Sequence, residues 1–214
     1  MKNSVVISAM ICCWFILSCS EPEQLPFFND ASFEPLWISP SNSSFTRIHR
    51  IADFSFLNQD SILITNKNFD GSIYVADFFF TTCPSICPKM TEHMLELQEY
   101  FKSENKVKLV SYSVTPWLDT VAQLKKYALK KGIDSRKWQL LTGSQKAIYT
   151  LARDSYFAER ELGLMKGDDD FLHTENFILV DSKRRIRGIY SGTQDRDLKR
   201  IKEDIRMLLN DIKE

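Results

Sequence analysis

Two long apolar runs limit the folds open to this chain. Residues 72–80 read Ser-Ile-Tyr-Val-Ala-Asp-Phe-Phe-Phe, and residues 107–114 read Val-Lys-Leu-Val-Ser-Tyr-Ser-Val. Neither alternates cleanly between apolar and polar positions. Strands of this kind are buried on both faces, so they belong in the middle of a sheet with a layer packed on each side. Helical patterns separate and follow them. Met90, Met94, Leu95, Leu97 and Phe101 predict a helix ending near Ser103, and residues 120–131 predict a second one closed by Gly132. A third is expected over 145–157, and a last one carries Leu198, Ile201, Ile205, Leu208, Leu209 and Ile212 as one stripe. Short strands are expected at 47–57, 62–64 and 138–141. A hairpin of 177–181 with 186–190 is expected to turn at Ser182-Lys183-Arg184-Arg185, read as a solvated tip. Strands alternating with helices, then a hairpin and a helix, give an open α/β layer fold.

The chain opens Met1-Lys2-Asn3-Ser4 and runs apolar from Val5 to Leu17. That is shorter than the ~20 residues a spanning helix needs, and with a Lys before it has the proportions of a signal peptide. It ends Ile16-Leu17-Ser18-Cys19, which resembles a bacterial lipobox. The resemblance implies that residues 1–18 are a lipoprotein signal peptide, that Cys12 and Cys13 leave with it, and that Cys19 carries lipid. Acyl chains contribute ~0.8 kcal/mol per buried methylene, enough in combination to hold the protein at a membrane on the periplasmic face. Residues 19–45, rich in Ser, Asn, Pro and Glu, read as a tether that drapes partly over the domain at 46–214.

Composition removes several alternatives. The 28 basic and 28 acidic residues balance, so the positive footprint of a nucleic-acid binder is missing. A hydrophobic fraction of 43% with 15 Phe excludes a disordered or collagen-like chain. Five cysteines at 12, 13, 19, 83 and 87 are no disulfide framework.

Cys83 and Cys87 lie where a buried strand gives way to a helix. Unpaired N–H groups and the positive end of the helix dipole favour a thiolate there, the form that binds metal or attacks disulfides. A four-residue spacing predicts both sulfurs on one helix face and allows a disulfide. The pair is therefore a ligand pair or a redox pair. The neighbouring Phe78-Phe79-Phe80 and Met94 read as core. His93 reads as an exposed helix residue, and His49 is given no role in the site.

The segment Asp77-Phe78-Phe79-Phe80-Thr81-Thr82-Cys83-Pro84-Ser85-Ile86-Cys87-Pro88-Lys89-Met90-Thr91 resembles the signature of the Sco/SenC copper proteins. Similarity extends through Asp53-Phe54-Ser55-Phe56, Leu141-Thr142-Gly143, His173-Thr174, residues 177–181 and Arg187-Gly188-Ile189-Tyr190. The family resemblance implies a thioredoxin-like fold, a central mixed sheet flanked by helices. It implies one copper ion, Cu(I) or Cu(II), held by Cys83, Cys87 and His173, and a role in assembling cytochrome c oxidase. Two thiolates suit Cu(I), while imidazole also serves Cu(II). One departure stands out: the family usually ends the strand after the first helix with Asp-Pro, and here it ends Val114-Thr115-Pro116, which predicts a missing carboxylate.

Residues 163–170, Gly-containing and with Asp168-Asp169-Asp170, read as a flexible loop that lets His173 approach the sulfurs. Three functions compete. One is a metallochaperone whose partner is the copper-bearing subunit of cytochrome c oxidase or another copper protein. The second, the enzymatic one, is a thiol–disulfide oxidoreductase using Cys83 and Cys87. The third is a thioredoxin-fold peroxidase. Three residues between the cysteines, and not two, together with His173, favour metal.

Overall fold

The computed structural model describes residues 24–39, 41–159, 167 and 171–213. Cys12, Cys13, Cys19 and the acidic run at 168–170 lie outside the described residues. Seven strands form one mixed sheet: β1 Ser55–Asn58, β2 Leu63–Thr65, β3 Ile73–Phe79, β4 Val107–Ser113, β5 Trp138–Thr142, β6 Asn176–Val180 and β7 Ile186–Ser191. Their spatial order is β2-β1-β5-β4-β3-β6-β7. The helices are α1 Cys87–Tyr100, α2 Val121–Lys131, α3 Gln145–Thr150 and α4 Asp195–Lys213.

β3, β4 and β5 run parallel, and β1 and β6 flank them antiparallel. The two runs predicted to be buried on both faces are the central pair, in register from Ile73 opposite Val107 to Phe79 opposite Ser113. Along β3, Ile73, Val75 and Phe79 join a core layer with α1, α2 and α4, while Tyr74, Ala76 and Phe78 join the opposite layer with α3. Period-two alternation between two apolar layers removes the polar face that a half-exposed strand would show.

Several expectations change. The first strand is short: residues 43–47 form a 3-10 turn and β1 starts at Ser55. Residues between them bond elsewhere: His49 N–H donates to Asn29 Oδ1, Ile51 N–H to the Arg184 carbonyl and Phe54 N–H to Asn66 Oδ1. The helix at 145–157 widens after Thr150 into a π turn, Leu151–Ser155. At its end the Ser155 carbonyl meets His49 Nε2 at 2.8 Å, and Ser155 Oγ accepts from Ala52 N–H.

The basic turn at 182–185 is not a solvated tip. Arg185 is 7% exposed, pairs with Asp181 at 2.7 Å and stacks on Phe27 and Phe45. Arg184 pairs with Asp53 at 2.5 Å. The segment before residue 46 covers it: Arg187 donates to the carbonyls of Leu25 and Pro26, and Phe28 N–H bonds the Ile186 carbonyl beside β7. Among the described residues no helix is long and apolar enough to cross a membrane.

Candidate metal centre

Parallel strands deliver their C-terminal ends to one edge of the sheet, where open α/β sheets place their sites. At this edge β3 runs into Phe80-Thr81-Thr82-Cys83, and α1 begins at Cys87 with Pro88 in its first turn, where a missing N–H costs nothing. Only Cys87 is helical. Cys83 lies in the preceding turn, its N–H donating to the Phe80 carbonyl at 3.3 Å, so the pair does not share a helix face as the spacing predicts. The two thiols still meet through a hydrogen bond, and neither is in a disulfide.

The two sulfurs are unequal. Burial raises the Cys83 thiol, but the bond from Cys87 and the backbone N–H groups of Ser85, Cys87 and Ile86 outweigh it, so Cys83 sits below the usual thiol range. This is the helix-start effect expected from the sequence, received by the residue outside the helix. Cys87 is buried, and burial, the Cys83 hydrogen bond and nearby charge push its thiol up to about 12. The thiolate is favoured at Cys83 over Cys87, whose buried proton needs an electrophile or a cation to displace it.

Near Cys87 lies Asp77, 2% exposed, whose charge is among those that raise the Cys87 thiol. Burial raises its carboxyl to about 7, against the hydrogen bond from Ser111. Trp138 Nε1–H donates to Ser111 Oγ at 2.8 Å, so a polar chain crosses three strands under the site.

The carboxylate expected to be missing at the end of β4 is supplied by a different residue. Fully buried Asp119 accepts from Ser113 Oγ at 2.6 Å and Thr115 Oγ1 at 3.1 Å. It also accepts from Thr81 Oγ1 at 2.5 Å and Thr81 N–H at 3.2 Å, binding the turn after β4 to the turn that presents Cys83. The hydroxyls of Ser113 and Thr115 are what make an acid at 119 satisfiable.

His173 is exposed, and among the described residues no three His, Cys, Asp or Glu side chains gather closely enough to hold a metal ion. The structure thus brings Cys83 and Cys87 together without placing His173 in a ligand cluster with them. It does fix the root of the histidine's segment. Glu159 Oε1 accepts from the His173 N–H at 2.8 Å, and Glu159 pairs with Arg153 at 3.4 Å. Arg153 in turn donates to the Gly167 carbonyl at 2.9 Å. Two residues before His173, Phe171 packs edge-on against Phe80, which lines the cysteine cleft.

His93 is not exposed. It is 3% accessible, and its Nε2 meets Asp195 Oδ1 at 3.0 Å, joining α1 to the first turn of α4. Lys89, one turn earlier on the same face, reaches the same oxygen at 3.0 Å. The sequence could not show that α4 covers this face.

A family model described as SCO1/SenC matches residues 44–210. The crystal structure of a SCO1/SenC family lipoprotein from Bacillus anthracis is 33% identical, with a TM-score of 0.66 over 75% of this chain and 95% of that one. BsSco, described with a disulfide switch and as a member of the Sco family of cytochrome c oxidase assembly proteins, is also 33% identical. Its TM-score is 0.63 over 75% of this chain and 93% of BsSco. ScoI of Arabidopsis thaliana, solved with copper bound, is 27% identical, with a TM-score of 0.58 over 74% of this chain and 98% of that one.

Proposed function

The chain belongs to the SCO1/SenC family, and from that premise we propose that it is a copper-binding metallochaperone serving cytochrome c oxidase. Copper is its cargo, one ion per domain. Cys83 and Cys87 supply two sulfurs, and His173 supplies a third donor. The observation that carries this reading is the thiol pair at the end of β3, with Cys83 held toward the thiolate by three backbone N–H groups. Two soft sulfurs select Cu(I), and an added imidazole widens the set to Cu(II). A set of three leaves the ion open to ligand exchange, which handing it on requires. The recipient is the binuclear copper site of the oxidase, and the donor acts from the outer face of a membrane, held by lipid on Cys19 beyond a signal peptide at 1–18. In support of the anchor, a relative of this fold is a lipoprotein.

A second reading draws on the inequality of the two sulfurs. A low, partly exposed thiol beside a buried high one is the arrangement of an attacking and a resolving cysteine. The same pair could then reduce the recipient's cysteines before the metal is passed.

Titration of the reduced protein with Cu(I) tests the reading, followed by Cys83→Ala, Cys87→Ala and His173→Ala. One copper per chain is expected, lost in either cysteine variant and weakened in His173→Ala, whose thiol–disulfide exchange survives. A wild-type chain that binds no copper yet reduces protein disulfides would leave only the second reading.

A further inference from the structure

Beside the cysteines is a cleft of about 310 Å³. One wall is the cysteine turn, and the other is a stripe of α2. Gln123, Lys126, Tyr127, Lys130 and Lys131 all line it, at the three-, four- and seven-residue intervals that align side chains along one helix face. Two of the five fasten the helix to the site. Gln123 Nε2–H donates to Thr81 Oγ1 at 3.0 Å, and the Tyr127 hydroxyl meets that of Thr91 on α1 at 2.8 Å. The other three are lysines, and α2 carries no acidic residue anywhere along its length.

The ammonium groups of Lys126 and Lys130 enter no ion pair among the described residues. Lys125, on the neighbouring face, pairs with Asp60, and Lys131 lies over the Tyr127 ring at 5.8 Å. Among the described residues no ion pair engages Lys131 either. An unneutralised row of like charge is costly unless something opposite arrives to meet it. It borders the one pair of sulfurs that another protein would have to reach.

The turn after β4, tied through Asp119 to Thr81 of the cleft wall, adds exposed apolar surface on the side of the cysteine turn. Trp117 is 54% exposed and Leu118 53% exposed, yet the next residue is the fully buried Asp119 that is bonded to Thr81. Two large apolar side chains are thus held outward by a rigid buried anchor next to the cysteine turn. Exposed aromatic anchors flanked by charge are the composition of a protein-binding surface.

We infer that the lysine row of α2, with Trp117 and Leu118, is the surface on which an acidic partner protein docks over Cys83 and Cys87. This rests on the chaperone reading and adds to it the charge of the recipient's contact face: acidic, and rimming its own metal-binding residues. Steering by the lysines orients the encounter, and the apolar pair lengthens the contact once made. A membrane surface is the less suitable occupant, because lipid headgroups on this wall would cover the cysteines.

The test measures association of the full chain, in neutral detergent and without copper, with the metal-free copper-bearing subunit of the same organism's cytochrome c oxidase. Stopped-flow fluorescence at several salt concentrations gives the rates. Lys126→Glu/Lys130→Glu is expected to slow association about tenfold at low salt and to flatten its salt dependence, while Lys126→Arg/Lys130→Arg retains the wild-type rate. Trp117→Ala should speed dissociation and leave the salt dependence intact. Cu(I) titration of the same variants, set against a chelator, reports the metal site separately. Unchanged association in the charge-reversed chain would overturn the inference even if copper binds normally. Lysine-dependent association in a chain that binds no copper would instead uphold the docking surface and remove the chaperone reading. Binding to vesicles of anionic phospholipid that is lost on charge reversal, with association to the subunit unaltered, would assign the lysines to the membrane and overturn the proposal.

Discussion

The backbone N–H of His173 donates to Glu159 Oε1 at 2.8 Å, across a stretch of chain that also carries Gly167. The carboxylate that takes this bond is buried and paired with Arg153, whose guanidinium holds the Gly167 carbonyl. One buried ion pair therefore grips the histidine's segment at two points, and the imidazole beyond it is exposed. The segment thus has a fixed root and an exposed side chain, which is compatible with the third-donor role proposed for His173.

Removing that root has a measurable consequence. Glu159→Ala takes away a buried acceptor and a partner of Arg153, and should lower stability by about 1–3 kcal/mol in urea unfolding. It should also weaken copper binding toward the level of His173→Ala. Glu159→Gln keeps an acceptor for the His173 N–H and is expected to bind copper more tightly than Glu159→Ala. Equal copper affinity in Glu159→Ala and the wild type would show that the root does not position the ligand.

The unequal thiols predict an order of chemical reactivity. Iodoacetamide at neutral pH should modify Cys83 well before Cys87, because Cys83 is partly exposed and stabilised as the thiolate, whereas Cys87 is buried with its thiol pushed up to about 12. Peptide mapping by mass spectrometry over a time course reads the order directly. Simultaneous modification would contradict it.

Asp119 joins two turns that the sequence keeps 38 residues apart. Asp119→Ala leaves the donors of Thr81, Ser113 and Thr115 without their acceptor and should cost about 2–4 kcal/mol, read as a lower urea midpoint at unchanged slope. Asp119→Asn retains an acceptor oxygen and should cost less. A midpoint unaffected by Asp119→Ala would mean that water replaces the carboxylate.

Asp77 gives the stability a pH dependence of definite sign. Burial raises its carboxyl from 3.8 to about 7, so between those values the folded protein keeps a proton that the unfolded chain has lost. Stability from this group is complete below the unfolded value and declines as pH rises through about 7, then levels off. Its full span is on the order of 4 kcal/mol at most. Urea midpoints of the reduced, copper-free protein should fall over this window, and Asp77→Asn should flatten the decline. A variant with the same pH profile as the wild type would assign the slope to other groups.

Much of the fold was legible because its determinants are local. Ile73, Val75, Leu109 and Val110 announce central strands by having no polar face. Thr120 and Gly132 mark the ends of α2, the first accepting from Gln123 N–H and the second adopting a φ of 76° that favours glycine. The cysteines at 83 and 87 are legible for the same reason, since strand, turn and helix start follow one another in the chain.

What escaped the sequence depends on contacts between distant segments. His93 reads as a surface residue until α4 lays Asp195 over it, and Arg185 reads as a solvated turn until Phe27 and Phe45 cover it. Nothing in the sequence singles out Asp119, and only the parallel strands bring Thr81 to its side. The sequence alone determined the central strands, the helices α1, α2 and α4, and the strand-turn-helix order at the two sulfurs, because propensity, periodicity and end signals act over a few residues. Only the tertiary structure decided which thiol is favoured as a thiolate, where the buried carboxylates lie and which wall the lysines form. Burial, charge and hydrogen-bond partners are properties of the packed whole, set by residues far apart in the chain.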